Sequence, residues 1–137
     1  MRSVQPESDV EREGEGSTAG YVQAFIYRVP KQNREMFKRV EGQLAGIFKE
    51  HGIVRSDFYE LTPARVFKGF ISIAETVSAT EDEVVWLELD YYKDAAHRDE
   101  VVGRIGQDPR AGPLFGQVLS LCAEGSTSLQ GDFTTAS

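Results

Sequence analysis

EVVWLELDYYKDAAHRDEVVGRI, residues 83–105, changes its periodicity halfway. Residues 84–92 alternate with a period of two, which predicts a strand. Val85, Leu87, Leu89 and Tyr91 form one wholly apolar face, suited to lie under helices. The opposite face presents Val84, Trp86, Glu88, Asp90 and Tyr92, an aromatic and acidic mixture that a lone protomer can leave wet and a dimer can enclose as a shared space. A helix follows at once. Asp94 is placed as its N-cap, Val101, Val102 and Ile105 are its buried stripe, and QDPR at 107–110 ends it because the residue before a proline avoids the helical region.

Working upstream, YVQAFIYRV at 21–29 is aromatic and β-branched, is stopped by Pro30, and reads as a strand with two largely apolar faces. From Asn33 to His51 the apolar residues Met36, Phe37, Val40, Leu44, Ile47 and Phe48 recur at spacings of three and four, predicting a helix whose remaining face carries Lys38, Arg39, Glu41, Lys49 and Glu50. Gly52 supplies a left-handed close, and His51 just before it is explained by the helix dipole. IVRSDFYEL at 53–61 reads as a second strand. In residues 62–82, Pro63 breaks the chain and VFKGFISIA at 66–74 suits either a short strand or a turn of helix. Downstream, PLFGQVLSLC at 113–122 reads as a third helix and STSLQGDFTT at 126–135 as a last strand. Strand, helix, strand, strand, helix, strand is the βαββαβ order of an α+β, ferredoxin-like fold with an antiparallel sheet.

A chain of 137 residues with 40% hydrophobic content supports one core, so a single domain is expected over residues 21–137. Residues 1–20, MRSVQPESDVEREGEGSTAG, are acidic and free of aromatics, and are expected to be a disordered tail. A net charge of -7 repels phosphate backbones and anionic membranes, so neither nucleic acid nor membrane is an expected partner. No run approaches the roughly 20 apolar residues of a membrane span, and the first residues lack the pattern of a signal peptide. The single cysteine, Cys122, cannot form an internal disulfide and suits a reducing compartment. A soluble, cytoplasmic protein is expected.

Few residues promise chemistry. His97 precedes Val101 by four and Ile105 by eight, which aims its ring along the buried stripe, and its place in the first turn favours a neutral imidazole able to move a proton. Its neighbours also have ordinary helical tasks: Asp94 with Arg98, and Glu100 with Arg104, are spaced four apart in the favourable order, while Asp99 points to solvent. Glu88 and Asp90 share a strand face with Cα atoms about 6.5 Å apart, within reach of paired acid–base work, and burial would make one of them hold its proton. Two histidines and one cysteine far apart make no zinc spacing, and no glycine-rich phosphate loop is present, so neither metal nor nucleotide nor other cofactor is expected.

EVVWLELDYYKDAAHRDEVVGRIGQDPR, with YVQAFIYRVPKQNREMFKRV and FKEHG, resembles the bacterial domain of unknown function family 1428 from about residue 21 onward. The likeness is most specific in YKDAAHRDEV followed by DPR. It implies the dimeric α+β barrel superfamily, in which two ferredoxin-like sheets close face to face, and hence a homodimer. Tyr92, Lys93, His97, Arg98, Asp99, Asp108 and Pro109 stand at the signature positions. Leu89 replaces a usual tryptophan, Asp94 a usual serine, and QGDF at 130–133 a Gly-Gly-Phe. Because that superfamily spans cofactor-independent monooxygenases, isomerases, haem-handling enzymes and proteins without activity, the fold does not choose a reaction.

The resulting expectation is a homodimer with a small, mainly apolar pocket per subunit, between sheet and helices, that binds or transforms a small organic molecule, monooxygenase- or isomerase-like at most. Catalytic candidates are His97, then Glu88 and Asp90; pocket candidates are Trp86, Tyr92, Phe25 and Tyr27. The rival is a non-enzymatic dimeric binding or interaction module, with an RNA-associated role a distant third. Whether the protein is an enzyme stays open at this level.

Overall fold

The computed structural model describes residues 19–126 and 128–136; the expected tail falls outside them up to residue 18. The elements are β1 (Tyr21–Pro30), α1 (Arg34–Glu50), β2 (Arg55–Glu60), α2 (Ile73–Thr76), β3 (Glu83–Tyr92), α3 (Ala95–Gly106), α4 (Ala111–Leu121) and β4 (Leu129–Thr134). One four-stranded sheet runs in the order β2-β3-β1-β4, every pair antiparallel. The chain therefore has the α+β ferredoxin-like topology that its element order implies. Two short helices add to it: α4 covers the sheet beside α1, and α2 is a single turn capped by Ser72 within the long β2–β3 connection.

Register fixes which side chains meet. Tyr21, Gln23, Phe25 and Tyr27 of β1 stand opposite Tyr92, Asp90, Glu88 and Trp86 of β3, so these eight share one face. The helices lie on this face. Phe37 of α1, fully enclosed, packs edge to face on Tyr27 at 5.4 Å and on Trp86 at 5.1 Å between ring centroids. The assignment of faces in β3 is thus the reverse of the one expected from its sequence. Val85, Leu87, Leu89 and Tyr91 form the open side of the sheet, with only Val85 buried, whereas Trp86, Glu88, Asp90 and Tyr92 lie under the helices. The cause is size: Tyr21, Tyr27, Trp86 and Tyr92 offer more apolar area to a helix layer than the leucines opposite, and the polar tips are the cost.

The stripe on α1 is also rotated from its expected setting. Phe37, Val40, Leu44, Ile47 and Phe48 are buried, but Met36 is 44% exposed and Glu41, expected in solvent, is 3% exposed. Gly52 closes the helix with φ +99°, as expected of a left-handed terminator. Asp94 caps α3, its Oδ1 accepting from the His97 backbone N–H at 2.8 Å. The spaced pairs predicted along α3 do not form. Arg98 reaches Asp99, Asp132 and the Tyr21 hydroxyl, and Arg104 donates to the His51 carbonyl oxygen at 2.8 Å.

Residues 61–71 are exposed throughout, and the connection carries Phe67, Phe70 and Ile71 at more than 70% exposure. It is held at its ends: Leu61 N–H donates to the Val85 carbonyl at 2.8 Å, and Arg28 grips Glu83 with two hydrogen bonds while reaching the Val77 carbonyl. Among the described residues no helix is long and apolar enough to cross a membrane.

Candidate functional site

Between the sheet and helices α1, α3 and α4 lies a cavity of about 680 Å³. Leu44 and Phe48 of α1, Ile105 of α3, and Phe115 and Val118 of α4 make its apolar walls. Its polar lining includes Gln23 and Tyr27 from β1, Ser56 from β2, Glu88 and Asp90 from β3, Arg98 and Asp99 from α3, and Glu41, which α1 lays over them. Volume and composition fall in the range of small-molecule sites.

Glu41, Glu88 and Asp90 stand together as one cluster of carboxyls, each close enough to shift the protonation of another, with Ser56 beside Asp90. The Tyr27 hydroxyl donates to Glu88 Oε1 at 3.1 Å. All three carboxyls are buried, Asp90 almost completely. Loss of hydration is the main cause that pushes them up, Glu41 to about 7, Glu88 to about 8 and Asp90 to about 9, and their mutual repulsion adds to it. The same burial, with the negative charge of Glu88 close by, raises the Tyr27 hydroxyl far above its ordinary value. Protonated carboxyls at neutral pH can donate as well as accept, which places groups suited to general acid–base work along one wall. Among the described residues, no group of His, Cys, Asp and Glu is arranged to hold a metal ion.

The sequence-level candidates separate here. Glu88, Asp90, Phe25 and Tyr27 line the cavity together. Trp86 instead borders a shallow depression shared with Glu41 and Phe58, and Tyr92 is enclosed in the core against Tyr21 and His97. His97 is not on the cavity wall. Its Nδ1 accepts from the Lys93 backbone N–H at 3.0 Å and its Nε2 donates to the Gly52 carbonyl at 3.0 Å, so both ring nitrogens tie the start of α3 to the turn after α1. The geometry thus gives His97 a bracing position, because its first-turn placement brings the ring beside unpaired backbone groups. His51 binds Asp108 at 2.9 Å, and Arg110 joins Asp108 to Glu50; Arg110 and then His51 hold the Asp108 carboxyl well below its usual range.

Glu41 is the member that sequence reasoning missed. A signal was present: with Phe37, Val40, Leu44 and Phe48 it falls in the middle of the stripe, at spacings of four, one, three and seven. Treating it as solvent-facing followed residue type over position.

Two outcomes are expected. Each buried carboxyl keeps its proton at pH values where the unfolded chain has lost it, so stability that is complete below about pH 4.5 is lost as pH rises through about 7 to 9. Scanning calorimetry should record Tm falling by roughly 5 °C or more between pH 5.5 and 9, and Glu88→Gln with Asp90→Asn should remove most of that slope. Second, His97→Ala should cost about 1–3 kcal/mol in chemical denaturation through the two lost brackets, leaving ligand affinity in the cavity unchanged.

Comparison with solved structures finds the same fold. A monooxygenase from the gene ActVA-Orf6 of Streptomyces coelicolor, in complex with nanaomycin D, aligns with TM-score 0.57 at 14% identity, covering 88% of this chain and 91% of that one. A dimeric ferredoxin-like protein from an uncultured marine organism aligns at 0.58 with 8% identity, covering 90% and 96%. An uncharacterised NIPSNAP domain protein from Burkholderia xenovorans aligns at 0.52 with 16% identity, covering 85% and 94%. No curated protein matches the sequence. The family model described as Protein of unknown function (DUF1428) matches residues 20–118, most of the chain, and the protein belongs to that family.

Proposed function

We propose that this protein is a homodimer that binds, and with its buried carboxyls can exchange protons with, a small and mainly apolar organic molecule held in the cavity between sheet and helices. The observation that carries the reading is the cavity itself: about 680 Å³, apolar walls, and three buried carboxyls on one side. A globular core of this size has no structural need for such a space, and burying three carboxyls without a cation costs several kcal/mol. The same fold in the Streptomyces coelicolor monooxygenase holds an organic ligand, so the architecture admits one. Proton handling in this reading belongs to Glu41, Glu88 and Asp90, with Tyr27 as donor to Glu88 and His97 as a brace. No nucleotide or metal is required for it. The fold spans the described part of residues 21–137 as one domain, with residues 1–20 as an appended acidic tail, in a cytoplasmic setting that suits the lone Cys122 thiol.

Homodimerisation rests on the open side of the sheet. Val22, Ala24 and Ile26 stand in register with Tyr91, Leu89 and Leu87, and with Phe133, Gly131 and Leu129, giving β1, β3 and β4 an apolar surface with no helix on it, bordered on β2 by Arg55 and Asp57. Contiguous exposed apolar area on this scale marks an interface, and a second copy offers the same twist and chemistry. The rival, a dimeric interaction module without ligand chemistry, shares this surface and leaves the cavity unused.

The neutral fluorophore N-phenyl-1-naphthylamine should brighten on binding with micromolar affinity, and Val102→Trp at the cavity mouth should weaken it at least about fivefold with Tm unchanged. Absence of any saturable signal would favour the module. Sedimentation should find a dimer at micromolar concentration and a monomer for Leu87→Asp, which sets a charge on the apolar face; a wild-type monomer would remove the dimer.

A further inference from the structure

Which chemistry the cavity prefers follows from which of its polar atoms lack partners. Glu41 Oε2 and Asp90 Oδ1 are buried without a protein hydrogen-bond partner, and both residues line the cavity at 3% and 2% exposure. Two enclosed oxygens that lack donors on the same wall call for a ligand that donates.

Charge points the same way. Besides the three carboxyls, the charged residues lining the cavity are Asp99 and Arg98, both of α3. Arg98 is already committed, donating to Asp99 at 2.7 Å, to Asp132 of β4 at 2.6 Å and to the Tyr21 hydroxyl of β1 at 2.8 Å. Among the described residues no lysine reaches the cavity, and α4 contributes no ionisable side chain. The remaining titratable neighbours are the Tyr27 and Tyr92 hydroxyls, the Cys122 thiol near Glu41, and Asp57 on the far side of β2. An anionic ligand would meet uncompensated acidity, whereas a cation would supply what is missing. The rings of Phe25 and Tyr27, stacked at 6.3 Å, add a surface that favours a positive charge beside them.

We propose that the cavity receives an organic cation, an ammonium group on an apolar body, with the ammonium donating to the carboxyls of Glu41 and Asp90 and the body lying against Leu44, Phe48, Ile105 and Val118. The inference rests on the ligand-binding reading and narrows it. Seating the cation lets a carboxyl ionise, so binding releases a proton from the carboxyl cluster to solvent. No covalent bond changes.

Three probes of one shape separate the possibilities: 4-phenylbutylamine, 4-phenylbutanol and 4-phenylbutyrate, titrated calorimetrically into the full chain. The amine should bind at least about tenfold tighter than the alcohol, and the carboxylate should bind weakest. Affinity for the amine should rise from pH 6 to pH 9, before the amine itself loses its proton near its ordinary value of about 10, and paired buffers of different ionisation enthalpy should register proton release. Glu41→Gln and, separately, Asp90→Asn should bring amine and alcohol to within about twofold of each other. Because the amine-to-alcohol ratio and its pH dependence are read on the unaltered protein, a variant that failed to fold would not rescue or sink the proposal. Equal binding of amine and alcohol, or affinity for the amine that falls with rising pH, would overturn the cation and leave a neutral-ligand cavity standing. Binding of none of the three, nor of N-phenyl-1-naphthylamine, would overturn both.

Discussion

Three carboxyl groups held out of water on the helix side of a sheet are the constraint around which this molecule is arranged. Charge there is expensive, and the structure meets the expense in two ways: protons retained at neutral pH, and the hydrogen bond that the Tyr27 hydroxyl donates to Glu88. Aromatic packing keeps the arrangement rigid. Phe37 sits between Tyr27 and Trp86, so the residue that hydrogen-bonds Glu88 is itself held edge to face by the helix that brings Glu41. Core and candidate site share these residues, and neither can be altered alone.

The signature segment around His97 serves this arrangement from outside. His97 joins the turn after α1 to the start of α3, Arg104 adds a second bond to the same turn through the His51 carbonyl, and His51 in turn meets Asp108. These contacts fasten α1 to α3 at one end of the cavity. Arg98 does the corresponding work at the sheet edge, bridging α3 to β1 and β4. A motif rich in charges and a histidine thus resolves into a set of brackets that fasten the helices to one another and to the sheet edge.

The other side of the sheet has a different character. Val22, Ala24, Ile26, Leu87, Leu89 and Tyr91 make its centre apolar, the ion pairs Arg28–Glu83 and Arg55–Asp57 flank them, and the β2–β3 connection exposes Phe67, Phe70 and Ile71. In the proposed reading the two faces divide the labour: one encloses the ligand within a protomer, the other offers area to a second copy.

Much of the architecture was legible from residue order. Period-two runs at 21–29 and 84–92, the three-and-four spacing from 36 to 48, Gly52 as a terminator and Asp94 as a cap all became the elements they implied, because each depends on backbone geometry and on neighbours within a few residues. Pairing Glu88 with Asp90 on one face was equally local. Which face of β3 turns inward was not, since alternation fixes that two faces differ and says nothing of which one the helices choose; the register with β1 and the bulk of Phe37 made that choice. Nor could spacing reveal that Glu41 would close over Asp90, or that His97 would spend both nitrogens on backbone groups more than forty residues apart in the case of Gly52. Local periodicity determined the elements and their order; burial, proton retention and the cavity arose only when residues distant in the chain shared one low-dielectric space.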